Sequence, residues 1–172
     1  MADEGVAPGS GHESFASLLE RLEAGETVDA SGLTLFEHDR FVGDLVGLRW
    51  ETLSLERVTA HLDVDDRHHQ PLGIVHGGVW CSVVETVGSI GAAMHAARRD
   101  QIAVGVHNST DFLRPHREGR VEIEGRPVHL GRSQQLWQVV ITRPDGKTIA
   151  RGQLRAQTLS ADGMARKGRE EA

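Results

Sequence analysis

Apolar positions change their spacing three times along the chain, and each change marks a switch between helix and strand. Before residue 46 the spacing is weakly helical. Ser14 is placed to cap a short helix whose Leu18, Leu19 and Leu22 share one face and which stops near Gly25, and a second amphipathic segment is expected over 33–45. From Val46 the period becomes two. Leu48 and Trp50 alternate with polar neighbours, and Val58, Ala60, Leu62 and Val64 alternate with Thr59, His61 and Asp63, which predicts two strands. A polar loop over 65–71 follows, and then the longest apolar-rich segment of the chain, 79–97. Its small residues and the 3.6-type spacing of Val79, Val83, Val87, Ile90 and Met94 predict a helix nearly surrounded by protein. Period two then returns over 102–113, 121–130, 134–143 and 147–159, with Gly119 and Pro144-Asp145-Gly146 supplying turns. In the last of these strands Ala150, Gly152, Leu154 and Ala156 alternate with Arg151, Gln153, Arg155 and Gln157, one face dry and one basic. The order predicts an α+β fold: an antiparallel β-sheet wrapped around one long central α-helix. Residues 1–44 are expected to form an N-terminal tail with short helices, 45–160 the domain itself, and 161–172 a polar C-terminal tail.

Composition narrows the class. The chain has 172 residues, of which 38% are hydrophobic and 26% charged, as befits one globular domain rather than a disordered or membrane-embedded chain. The most apolar segment carries Glu85 and His95, so no spanning helix is expected. The acidic, polar start of the chain resembles neither a secretory signal nor an Arg-rich transit peptide, and a cytoplasmic protein is expected. Cys81 is the only cysteine, which leaves no internal disulfide and no cysteine-based zinc site. The net charge of −6 divides unevenly, −11 over residues 1–97 and +5 over 98–172, and Arg outnumbers Lys by 17 to 2. Arg offers a rigid fork of donors that suits phosphate, so the basic half fits a phosphorylated ligand; a coding bias toward Arg accounts for it equally well. The negative total and only seven aromatic residues argue against a nucleic-acid partner.

The chemistry concentrates in Gln70-x-x-Gly73-x-x-His76-Gly77-Gly78, followed by Glu85 and Ser89. Two glycines opening a helix leave backbone N–H groups unpaired and uncovered by any Cβ, able to polarise a carbonyl oxygen; alone, they would more often mean only a tight turn. Glu85 changes the balance. An unpaired carboxylate in an apolar helix needs a task or a partner, the plainer alternative being a buried Arg. Cys81, Glu85 and Ser89 fall at i, i+4 and i+8 and share one stripe. His68 and His69, close to Asp63, Asp65 and Asp66, read as a solvated loop rather than a metal site. Cys81 reads as a packing residue. No Gly-x-Ser-x-Gly, Walker or His-Glu-x-x-His pattern occurs.

This pattern resembles the hotdog-fold acyl-CoA thioesterases, in the branch of the PaaI-like enzymes and the Glu-dependent 4-hydroxybenzoyl-CoA thioesterase. The residues that carry it are the 70–78 segment, Glu85 nine residues after His76, the run from Asn108 to Pro115, and Gly131-Arg132-Ser133. The resemblance covers roughly residues 45–160. It implies a hotdog fold and hydrolysis of a small or medium acyl-CoA, aromatic ones included, to the free acid and CoA. It implies Glu85 as nucleophile or general base and the Gly77 N–H as the oxyanion donor. Gln70 would orient the carbonyl or the water, Ser89 would assist hydrolysis, and His76 would shape the turn. Gly78, Asn108, Arg114, Arg132 and Ser133 would lie along the bound substrate. No metal and no cofactor are implied, since CoA is part of the substrate. A non-catalytic acyl-CoA-binding hotdog domain is the alternative; hydratase chemistry is less favoured, because no His is placed with an acid in that manner. The expected partners are the acyl-CoA and a second copy of the chain, in a homodimer or a doubled tetramer, with neither nucleic acid nor membrane. Helix geometry points the same way. Gly77 and Glu85 lie ~12 Å apart along the axis, too far for one carbonyl to meet both on one chain.

Overall fold

Ser14 caps the first helix where its position predicts. Its side chain accepts the Ser17 N–H at 3.1 Å, and Leu18 and Leu22 of α1 (Phe15–Glu23) are buried. The computed structural model describes residues 14–33 and 40–160. A two-residue strand, β1 (Val28–Asp29), follows α1 and has no counterpart in the sequence reading, being too short to show a period. The amphipathic segment expected over 33–45 lies partly outside the described residues. Its visible part, Arg40–Val46, is a π-helical turn, closed by the Gly47 N–H donating to the Val42 carbonyl at 2.9 Å. Then come β2 (Arg49–Leu53), β3 (Val58–Val64), the long helix α2 (Gly77–Ala97), β4 (Gln101–Phe112), β5 (Gly119–Leu130), β6 (Gln134–Thr142) and β7 (Thr148–Ser160). All five long elements predicted after residue 78 are present, with ends within two residues of those expected.

The strands form one antiparallel sheet in the order β1-β2-β3-β5-β6-β7-β4. A single row of paired residues crosses most of it: Trp50, Ala60, Ile123, Ile141, Ala150 and Phe112. The middle four are buried beneath α2. The alternation read in the last strand holds, with Ala150, Gly152, Leu154 and Ala156 inward and Arg151, Gln153 and Arg155 outward. Because α2 connects β3 to β4, the chain crosses the sheet and leaves β4 as an edge twelve residues long.

The inner face of α2 is pressed onto the sheet. A Cβ at Gly91 would overlap the Trp137 ring, so glycine is what permits this approach. The fully buried indole keeps its polar tip satisfied: Trp137 Nε1 donates to Gln135 Oε1 at 3.1 Å, and Gln135 Nε2 donates to the Ala92 carbonyl at 3.1 Å. The expectation that α2 is nearly surrounded by protein needs correction. Val83, Val84, Val87, Ile90 and Met94 are buried, but the stripe of Cys81, Ser82, Glu85, Thr86, Ser89, Ala93 and Ala97 is only half-buried. Short side chains in an apolar segment read as interior in the sequence, whereas here Glu85, Thr86, Ser89, Ala93 and Ala97 line an open groove. Among the described residues no helix is long and apolar enough to cross a membrane.

Candidate active site

The start of α2 is fixed by hydrogen bonds from three directions. His76 is the N-cap, and its Nδ1 accepts the Gly78 N–H at 2.9 Å. That leaves His76 shaping the turn, with its ring committed to the helix backbone. The His76 N–H donates to the His68 carbonyl at 2.8 Å, and the Val75 N–H to the His116 carbonyl at 2.9 Å. His68 is buried, which corrects the solvated-loop reading: its Nε2 donates to the Val46 carbonyl at 2.7 Å while Nδ1 accepts the Asp65 N–H at 3.0 Å. The loop carrying Gln70 is clasped by Arg117, whose Nη1 donates to the Gly73 carbonyl at 2.7 Å. Gly73 takes φ +69°, the left-handed conformation this turn demands.

These constraints bring Gln70, Gly77 and Arg114 to one cavity of about 480 Å³, shared with Trp80, Phe112 and His116. Gln70 Oε1 accepts the Leu72 N–H at 2.8 Å, which orients the side-chain amide. Gly77 is the first residue of α2, so its N–H has no intrahelical acceptor, and it finds none among the described residues. A Cβ on Gly77 would lie 2.5 Å from the Phe112 ring, so glycine also lets Phe112 cover this helix end. Arg114 Nη1 donates to the Thr148 carbonyl at 2.5 Å, which anchors the side chain at the cavity wall.

Glu85 and Ser89 lie in a different cavity, of about 640 Å³. Thr86, Ile90, Ala93 and Ala97 continue its α2 wall, and Phe15, Val42 and Trp50 from the N-terminal elements face them. The Glu85 carboxylate is half-buried, and among the described residues no Lys, Arg or His pairs with it, so the buried-Arg alternative is not realised. Its partner is an amide: Asn108 Nδ2 donates to Glu85 Oε2 at 3.1 Å and to the Cys81 carbonyl at 3.0 Å. Cys81 is half-buried and contributes its backbone here.

Within one chain, therefore, the expected catalytic residues fall into two groups. Gln70, His76 and Gly77 stand at the start of α2, beside the expected substrate residue Gly78, and Glu85 and Ser89 two to three turns further on. The expected substrate residues divide as well. Arg114 is at the N-terminal end of α2. Arg132 and Ser133 sit in the β5–β6 turn at its far end, where Arg99 Nη1 donates to the Gly131 carbonyl at 3.3 Å. Asn108 faces α2. Sequence reasoning did not single out Gly105, against which the Glu85 carboxylate rests. A glycine inside an alternating strand was the available signal.

Residues 72–150 match the family model of the thioesterase superfamily. A solved structure of a candidate esterase from Mycobacterium tuberculosis is 40% identical and superposes with a TM-score of 0.67, over 70% of this chain and 97% of that one. The proofreading thioesterase EntH of Cronobacter turicensis is 33% identical over 130 residues, 75% of this chain and 89% of that protein. The PaaI protein of Escherichia coli, at 19% identity, shares the fold with a TM-score of 0.65 over 72% of this chain and 87% of that one.

Proposed function

The chain belongs to the thioesterase superfamily and has its hotdog fold, and on that premise we propose that it hydrolyses an acyl-CoA to the free acid and CoA, with Glu85 as the attacking or water-activating group. One observation carries this reading: a carboxylate with no cationic partner among the described residues opens, beside Ser89, into a mainly apolar cavity. The reaction adds water across the thioester C–S bond. Either Glu85 takes a proton from water as the water attacks the carbonyl carbon, or its carboxylate attacks directly and water then cleaves the resulting anhydride. In both routes charge builds on the carbonyl oxygen, and a helix-opening N–H such as that of Gly77 stabilises it; the CoA thiolate leaves.

The acyl group lies in the Glu85 cavity. Phe15, Val42, Trp50 and Ile90 favour an apolar chain or ring over a charged one. Since Gly77 opens into the other cavity, the complete site joins Glu85 of one chain to the helix start of a second copy. The edge strand β4 supports such a pairing: it offers an unpaired ladder with Val106 and Phe112 exposed. The test is release of free thiol from a panel of acyl-CoAs. Turnover with an apolar acyl-CoA, lowered at least ~100-fold in a folded Glu85→Gln protein, is the expected result. Tight binding of acyl-CoA without turnover in the wild type would favour the non-catalytic alternative instead.

A further inference from the structure

The Glu85 carboxylate is held from β4, and β4 is irregular where it does so. Residues 105 and 108 are an odd number apart and would face opposite sides of a regular strand. A bulge between Gly105 and His107 absorbs one residue, so Gly105 pairs with Ala156 and Asn108 with Leu154. Both partners point inward, so Gly105 and Asn108 both face α2 and meet the same carboxylate. At Gly105 any Cβ would overlap Glu85 Oε1, and glycine leaves that oxygen its place. At Asn108 the Nδ2 group donates to Glu85 Oε2 at 3.1 Å and to the Cys81 carbonyl at 3.0 Å. Thr110, two residues on and on the same face, donates its hydroxyl to Asn108 Oδ1 at 2.7 Å. The direction of this chain is forced, because a carboxylate and a carbonyl can only accept and must therefore face the amide NH2.

We infer that Asn108 is a positioning residue for Glu85: its amide, oriented by Thr110, holds one carboxylate oxygen while the bare Cα of Gly105 makes room for the other. This rests on the catalytic reading of Glu85. Asn108 acts on the reaction through the carboxylate and leaves substrate affinity alone. Without it the carboxylate keeps its place on the helix but loses its orientation, and a reacting group misaligned by about an ångström costs about 100-fold.

The experiment measures kcat and KM with the best acyl-CoA for Asn108→Leu, Thr110→Val, the double variant and Glu85→Gln. Asn108→Leu is expected to lower kcat by about 10- to 100-fold with KM within about twofold of wild type. Thr110→Val should lower kcat less, in the same direction. It should add nothing to Asn108→Leu, because it acts only through that amide. Should Asn108→Leu fail to fold, the isosteric Thr110→Val carries the same kcat-against-KM test. A raised KM with unchanged kcat in these variants would make Asn108 a substrate contact and overturn the assignment, as would additive losses. Full turnover in Glu85→Gln would instead remove the catalytic reading itself.

Discussion

Gly77 and Glu85 stand on the same helix, about 12 Å apart along its axis, and open into different cavities. One thioester carbonyl must lie ~3 Å from both its oxyanion donor and the attacking group, which a single rigid helix does not offer. An antiparallel second copy of α2 would bring the two together. Mixing Glu85→Ala chains with Gly77→Pro chains, each inactive alone, should therefore restore activity. Random pairing leaves about one site in four intact, so recovery should approach a quarter of wild type. Verified mixed dimers without activity, or an active monomer, would sink the shared site.

The groove proposed to receive the acyl group is walled on α2 by Ala93, opposite Phe15 and Val42. Ala93→Phe should shorten it. The longest accepted acyl chain should lose at least ~10-fold in kcat/KM while the shortest changes little, and Phe15→Ala should shift the preference the other way. A uniform loss across the panel would place the acyl group elsewhere.

Arg114 lines the cavity at the start of α2, whereas Arg132 lies near the opposite end of that helix. Ala substitution of either should raise KM by about 10-fold with kcat nearly unchanged, and the effect should shrink as salt screens the CoA phosphates. An effect at Arg114 alone would confine the nucleotide to the helix-start cavity.

His95 packs on Trp137, with ring centroids 5.8 Å apart, and its Nε2 donates to the Leu55 carbonyl at 2.6 Å. Burial holds its pKa below the ordinary 6.5, Arg98 and Arg99 reinforce this, and the Leu55 bond opposes it. The unfolded chain therefore takes up this proton more readily than the folded one. His95 then contributes its full stability above about pH 6.5 and loses it as pH falls from there toward the folded value. His95→Gln, which retains a donor for Leu55, should flatten the fall in Tm between pH 7 and pH 5. An unchanged slope would assign that acid sensitivity to other groups.

The sheet and α2 were legible because their periods are long and clean: Val58 to Val64 and Ala150 to Ala156 alternate in the sequence as they do in the structure. β1 was not, since two residues carry no period. His68 was misread because nothing local announces that a histidine in a polar loop will cap its own turn and reach the carbonyl of Val46. The site was legible to the extent that its residues lie in one stretch. Glu85 stands out against its apolar neighbours, while the role of Asn108 depends on a bulge that shifts its side chain to the other face of β4. A strict two-residue alternation has no place for that shift.

Trp137 beneath Gly91 works as a depth stop for α2. The helix can sink no further and, for want of a Cβ there, has nothing to lift it, so the height of Glu85 above β4 is set from the inner face. The groove proposed for the acyl group is cut into the outer face, by Ala93 and the N-terminal residues opposite it. The two surfaces of one helix thus answer to separate demands. Substitutions at Phe15, Val42 or Ala93 can retune which acyl groups fit while the reach of the carboxylate stays where the tryptophan puts it, so a lineage carrying this helix can drift in substrate without rebuilding its chemistry.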